Sequence, residues 1–373
     1  MAQRRNRRAG VEDLWTKRDG TPSARHGRGM RWRARYVDNL GKEHSKSFSR
    51  KIEAQGWLDA QTTALGTNTH VDPHVKVTVE QVAERYLAGL GHLSPKTLYQ
   101  KKSLLNSRVL PRWKGVLVRE IRPSDVDVWV ADLVHEDLSS SLVRKCVETL
   151  RHILDVAIRD QQLAVNPAAG VKLPRDSKEH SAVFLSPKQL RALAEACSGY
   201  SELVWLLGVC GLRWSEATAL QVRDLDFERH RVSVSKAHKN VAGKMTVGAT
   251  KTGKARFVPM PKTLETMLKA LVEGRDQTDL VFTSAHGAPL RSENFRNRVF
   301  RPAVESLESI PDDMWLYDLR HTAASIAIKS GANIKVIQAM LGHSSATLTL
   351  DRYGHLFPDD FDGLAEALEN TAY

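Results

Sequence analysis

Apolar and polar residues alternate along MRWRARYV. Met30, Trp32, Ala34 and Tyr36 fall on one side and Arg31, Arg33 and Arg35 on the other. A period of two predicts a strand with one apolar and one strongly basic face. DNLG then supplies a turn, KEHSKSFS a returning strand, and KIEAQGWLDAQTTAL a helix carrying Ile52, Trp57 and Leu58. Residues 1–66 read as a small basic three-stranded sheet plus a helix. After GTNTHVDPH, read as a linker over 66–74, the period becomes helical. VTVEQVAERYLAGL comes first, then SPKTLYQKKSLLNSRVL with Ser94 as N-cap and Pro95 at the first helical position. RPSDVDVWVADLVHE and SSSLVRKCVETLRHILDVAIRDQQL complete four helices, a helical bundle over 75–170. NPAAGVKLPRDSKEH, with Pro167, Gly170 and Pro174, reads as a second linker.

From 181 to 373 the pattern is mixed. LSPKQLRALAEAC is a capped helix, and SELVWLLGVCGL, apolar nearly all round, predicts a buried one. HRVSVSKAH and GKMTVGATKTGKARFVPM read as strands, with TKTGK as a hairpin turn. Helical segments follow, so this region reads as mainly α with a small antiparallel sheet and the whole chain as multidomain α+β. One stretch breaks the pattern. LYDLRHTAAS sets Tyr317, Arg320 and His321 at the entrance of an otherwise apolar helix, at a spacing that projects them from one face.

Charge narrows the partners. The chain has 373 residues and a formal net charge of +12. Its first 70 residues hold 15 Lys or Arg against 7 Asp or Glu. A polyanion is the partner such a field attracts, and charge by itself fits nucleic acid and anionic membrane alike. No run approaches the ~20 apolar residues of a spanning helix, and MAQRRNRRAG lacks a signal peptide's apolar segment. Cys146, Cys197 and Cys210 are scattered, without a CxxC pair, so neither a disulfide framework nor a metal site is expected. The cytoplasm is the expected compartment.

In the last region several residues form an ordered set: Arg213 in GLRWSEATAL, Lys251 in TKTGKARFVP, Arg320 and His321 in YDLRHTAAS, His343 in LGHSS and Tyr353 in LDRYGHLF. This set resembles the tyrosine recombinases, the phage integrase family, in order and spacing. The helical bundle before it is similar to that family's core-binding domain, and the basic amino-terminal module to the arm-binding domain of the larger phage integrases. A composition rich in Ala, Val and Arg is similar to integrases of actinobacterial phages, mycobacteriophages in particular.

The chemistry asks for such a set. A phenol of pKa ~10 is ionised in only about one molecule in a thousand at neutral pH, and attack on a phosphodiester gathers negative charge on oxygen. Arg213 and Arg320 offer forked donors that match nonbridging phosphate oxygens. The resemblance implies that Lys251 protonates the leaving 5′ oxygen, that His343 donates to the phosphate, and that Tyr353 becomes joined to the 3′ phosphate. Glu216 and His321 are expected to support them. Where the family has histidine in a His-x-x-Arg pattern, this chain has Tyr317, read as a phosphate donor. That departure leaves His321, a water and the phosphate itself as acceptors for the nucleophile's proton.

Lys254 is the rival of Lys251, and Tyr317 and Tyr373 are rivals of Tyr353, though Tyr353 alone follows LGHSS by ten residues. Arg352 and His355 read as surface or DNA-facing. Arg31, Arg33, Arg35, Lys96, Lys101 and Lys102 are the expected DNA contacts outside the site. The tail, with Phe361, Leu364 and Leu368 at helical spacing, is expected to pack into a neighbouring protomer. The resemblance further implies double-stranded DNA with core and arm sites, a homotetramer, a host DNA-bending factor and an excisionase-like directionality factor, without cofactor or metal. Two alternatives stand beside integration: a non-catalytic architectural or regulatory DNA-binding protein, and a relaxing enzyme of the type IB topoisomerase kind.

Overall fold

Strand β1 (Gly10–Asp13) pairs antiparallel with β2 (Trp32–Val37), and β2 with β3 (Glu43–Phe48), so the basic strand lies in the middle of a three-stranded sheet. The computed structural model describes residues 9–39, 41–67, 69–72, 76–175, 180–250 and 253–357. Ala34 and Tyr36 turn inward against Ala54 and Leu58 of helix α1 (Lys51–Gly66), as the period of two requires. Met30 lies outside the strand and is exposed. On the other face, β1 brings carboxylates to the arginines: Arg31 bonds Asp13 and Arg33 pairs with Glu12. Arg35 has no such partner among the described residues. The stretch read as a linker begins folded onto this module. The Tyr36 hydroxyl and His70 Nε2 are 2.6 Å apart, and Lys42 bonds Asp72.

The helical stretch that follows forms α2 (Val79–Ala88), α3 (Pro95–Leu104), α4 (Leu110–Trp113), α5 (Pro123–His135) and α6 (Ser140–Arg159) around Val82, Trp113, Trp129, Leu150 and Ile153. Between α3 and α4 the backbone widens into a π turn over Leu105–Val109. The cause is Pro111, which lacks an N–H and whose ring crowds the carbonyl four residues earlier, at Ser107.

A second compact unit begins at residue 179. Helices α7 (Pro187–Ala196) and α8 (Ser201–Cys210) cross at Gly208, where an added Cβ would meet Leu190 Cδ1 at 2.5 Å. Leu203, Val204, Leu206 and Leu207 of α8 are all buried. Gly208→Val is therefore expected to destabilise this unit by about 1–3 kcal/mol through overpacking, read as a lowered thermal midpoint.

Short helix α9 (Trp214–Ala217) leads to β4 (Leu225–Asp226), β5 (Arg231–Val234), β6 (Lys236–Val241), β7 (Lys244–Ala249) and β8 (Arg256–Pro259). β5 pairs with β4 and β8, whereas β6 and β7 form their own hairpin. TKTGK is therefore not a hairpin tip, because the strands on either side of it belong to different sheets. The tip is Ala242-Gly243, both at positive φ, the two-residue turn whose twist matches paired strands.

Helices α10 (Lys262–Val272), α11 (Ser292–Phe295), α12 (Arg301–Glu305), α13 (Asp318–Lys329), α14 (Ile334–Leu341) and α15 (Ala346–Tyr353) complete the unit. A second π turn, Arg296–Phe300, again precedes a proline, Pro302. The core joins α8, α13 and α14 through Leu207, Leu319, Ala323, Ile337 and Leu341. Among the described residues no helix is long and apolar enough to cross a membrane.

Candidate active site

Three arginines converge on the carboxyl end of α14. Its last carbonyls have no partner within the helix and carry partial negative charge. Each takes a guanidinium: Met340 O accepts from Arg256 Nε at 2.8 Å, Leu341 O from an Arg320 terminal nitrogen at 2.5 Å, and Gly342 O from an Arg213 terminal nitrogen at 3.2 Å. Arg320 also donates to Gly211 O at 2.5 Å. Gly211 ends α8 in the left-handed conformation, φ +67, and a side chain there would meet Leu341 Cδ2 at 2.8 Å. Glycine at that residue is what brings α8, α13 and α14 close enough to share the arginine.

Glu216 balances part of this charge. Its carboxylate accepts from Arg213 Nη1 at 2.8 Å and from both terminal nitrogens of Arg256, at 3.0 and 2.7 Å, while Arg213 N–H caps the same group. Burial by itself would raise the Glu216 carboxyl. Hydrogen bonds and charge from Arg256, with those of Arg213, outweigh it and hold the group below its ordinary 4.5. Arg320 is 2 % exposed. Burial and the neighbouring Arg213 pull it down to about 10, so it remains a cation at neutral pH. Its Nε is buried without an acceptor among the described residues, a donor left free beside the site.

The first turn of α13 carries Arg320, but the entrance of α13 does not hold its guanidinium. The carboxyl ends of α8 and α14 do. Tyr317 precedes the helix and is half-exposed, with its ring edge-on to His321. Its hydroxyl has no partner among the described residues. With Arg320, Trp214, Trp315, Arg296 and Arg301 it lines a cleft of about 880 Å³.

Tyr353, at the end of α15, is 1 % exposed. Its hydroxyl lies 2.9 Å from His321 Nδ1. Burial pushes the phenol up to about 12 despite the pull of Arg320. His343 follows Gly342 and runs parallel to the Tyr353 ring, with its Nδ1 2.9 Å from the Thr349 hydroxyl. Burial first, then Arg320 and Arg213, drive this imidazole down to about 4, so it is neutral at pH 7.

A family model described as the phage integrase family matches residues 183–359, the stretch that contains this cluster. This part of the chain is a phage integrase family domain. The integrase of Mycobacterium phage D29 is 24% identical over 360 residues, which span 90% of this chain and 92% of that one. Tyrosine recombinase XerC of Mycobacterium tuberculosis is 28% identical over 238 residues, 59% of this chain and 74% of the relative. Among solved structures, the Tn1549 transposon integrase in complex with a circular intermediate DNA has a TM-score of 0.66 at 22% identity, covering 79% of this chain and 99% of that one. That likeness establishes the multidomain α+β fold.

Arg213, Glu216, Tyr317, Arg320, His321, His343 and Tyr353 thus gather in one place, drawn from α8 to α15. Lys251 and Tyr373 lie outside the described residues, as do Phe361, Leu364 and Leu368. The described residues on either side of Lys251 are bonded to one another. Gly253 N–H donates to Thr250 O at 3.0 Å, and the Thr250 hydroxyl to Lys254 O at 3.0 Å. Lys254 is exposed. Arg256 and Thr349 escaped the sequence reading. The one visible hint of Arg256 was a cation alternating with apolar residues in KARFVP, and Thr349 has none beyond its spacing from His343.

Outside the site, Lys96 and Lys102 are exposed on α3, whereas Lys101 lies over the Tyr86 ring and donates to its hydroxyl at 3.1 Å. Among the described residues no group of three or more His, Cys, Asp or Glu is arranged to hold a metal ion.

Proposed function

We propose that this chain is a site-specific DNA recombinase that cleaves and rejoins strands through a 3′-phosphotyrosine made by Tyr353, integrating a phage genome and, with a directionality factor, excising it. The observation that carries the reading is the gathering of three guanidiniums against one neutralising carboxylate among the described residues, Glu216, beside a buried phenol. This excess of fixed positive charge is what a phosphodiester gaining negative charge in its transition state requires.

In this reading Arg213 and Arg320 hold the nonbridging oxygens. One such arginine is worth about 10³-fold or more in rate in phosphoryl transfer. Arg256 positions Glu216, and through it Arg213. With the Thr349 hydroxyl donating to Nδ1 of the neutral imidazole, His343 carries its proton on Nε2 and donates it to the phosphate. Lys251 is the leaving-group acid, which protonates O5′. Cleavage conserves the bond energy in the tyrosyl ester, so a 5′ hydroxyl from a second duplex restores the DNA backbone without an external energy source.

The substrate is double-stranded DNA with core and arm sites. The helical module reads core sites, with Lys96 and Lys102 at the backbone, and the amino-terminal module reads arm sites. Arg35 carries the most weight there, since Arg31 and Arg33 already have carboxylate partners. A homotetramer assembled with a DNA-bending host protein would align two duplexes. The Tn1549 relative's complex with circular intermediate DNA supports DNA as partner. A nicked suicide duplex bearing a candidate attachment core tests the whole. A denaturant-stable, protease-sensitive protein–DNA adduct is expected, and a protein that binds this duplex without forming an adduct would be an architectural factor.

Tyr317, half-exposed in the cleft with an unpartnered hydroxyl, donates to the phosphate in this scheme. Tyr317→Phe is expected to slow single-turnover cleavage about tenfold to a hundredfold, the worth of one hydrogen bond to a charged group. An unchanged rate would remove Tyr317 from the site.

A further inference from the structure

The cluster leaves one step without an agent: something must take the proton from Tyr353. With its phenol raised to about 12 by burial, only about one molecule in 10⁵ is ionised at pH 7. The position that carries histidine in the family pattern holds Tyr317, whose own phenol is a poor acceptor at neutral pH.

Among the described residues, His321 is the base within hydrogen-bond reach of Tyr353. Its Nδ1 is 2.9 Å from the Tyr353 oxygen, the heavy-atom distance a general base needs in order to remove that proton. Phe184 stands edge-on to the imidazole with centroids 6.2 Å apart, and Tyr317 does so at 5.2 Å, so two aromatic rings flank it.

The charged and titratable groups that act on it come from three directions. Asp318, Arg320 and Tyr317 belong to the start of its own helix, Arg352 and Tyr353 to α15, and His180 to the segment before α7. Burial, ahead of the Asp318 charge that opposes it, keeps the ring below its ordinary 6.5, and so unprotonated at neutral pH.

We infer that His321 is a catalytic residue, the general base that accepts the Tyr353 proton on Nδ1 during strand cleavage. This rests on Tyr353 being the nucleophile. As the Tyr353 oxygen forms its bond to phosphorus, its proton passes to Nδ1 and the ring becomes imidazolium. The P–O5′ bond breaks with its electron pair leaving on O5′, which takes a proton from the separate acid assigned to Lys251. In rejoining, an incoming 5′ hydroxyl gives its proton to the Lys251 amine and displaces the phenolate, which recovers the other proton from the imidazolium. His321 therefore ends each cycle neutral.

The experiment is single-turnover cleavage of a suicide duplex by wild type and by His321→Gln, which keeps polar atoms near Tyr353 but does not accept a proton at neutral pH. The wild-type adduct itself reports on the nucleophile reading. If wild type forms none, that reading fails before the base is in question. Given a wild-type adduct, His321→Gln is expected to bind the duplex normally and to cleave about 10²- to 10⁴-fold more slowly at pH 7. Its rate should climb about tenfold per pH unit as hydroxide supplies phenolate, while wild type is level above pH 6.5. A 5′-bridging phosphorothiolate, whose leaving group needs no acid, should leave the deficit in place. A His321→Gln rate within about threefold of wild type, with an unchanged pH profile, would overturn the assignment.

The nitrogen resonances of His321 in the wild-type protein supply a test independent of any variant's folding. The proton is expected on Nε2 with Nδ1 bare. A proton on Nδ1 would overturn the assignment, because that atom is then unable to receive another.

Discussion

Tyr353→Phe is expected to form no covalent adduct with a suicide duplex while binding it with unaltered affinity. The oxygen removed is the atom that would join phosphorus, so the loss should be on the order of 10⁶-fold or more, the scale on which deleting a covalent nucleophile is felt. Packing should survive, since the Tyr353 ring is buried in the core of the second unit and the change removes one hydroxyl and its bond to His321. Gel separation of adduct from free DNA, with binding followed in parallel, decides it. An adduct of undiminished yield would move the nucleophile to another residue.

Glu216→Ala is expected to produce the largest loss of stability. The residue is 1 % exposed and receives hydrogen bonds from both Arg213 and Arg256. Removing it leaves guanidiniums facing each other without a counter-charge, which in a buried setting costs about 3–5 kcal/mol. For a unit of this size that is about 10 °C in thermal midpoint. Calorimetry should show the second unit melting first in the variant.

The pH dependence has a definite sign. The folded carboxyl lies below 4.5, so its contribution is complete above 4.5 and is lost as pH falls through the lower folded value. Glu216→Gln should flatten that acid limb. An acid limb of unchanged shape would mean that another carboxylate dominates it.

What could be read from the residues follows from how local each signal is. MRWRARYV announces its strand because Ala34 and Tyr36 must face the core two residues apart. The Asp13 and Glu12 side chains that meet Arg31 and Arg33 come from a four-residue strand too short to show a period. SELVWLLGVCGL reads as buried because it is apolar on every side. The motif order identifies Arg213, Arg320, His343 and Tyr353 as a set, each with polar neighbours that an ordinary core helix would not carry.

Hidden from view was everything made by main chain. Nothing in QAML, residues 338–341, signals that its carbonyls will hold Arg256, Arg320 and, one residue on, Arg213. Gly342 looks like an ordinary helix terminator. The split of β7 and β8 into separate sheets was equally hidden, since the residues between 249 and 256 read as a hairpin tip and pairing partners are chosen by the whole sheet.

The clasp of three cations by the end of α14 sets which kinds of genetic change this fold survives. Main-chain oxygens are indifferent to residue identity, so the exposed Lys335, Val336 and Ala339 are free to drift so long as a helix persists. A single codon gained or lost between Asn333 and Gly342 is another matter. It turns the helix end by about 100° in azimuth and aims all three oxygens away from their arginines together, so insertions and deletions in this stretch should be lethal to strand exchange where substitutions at its exposed positions are silent.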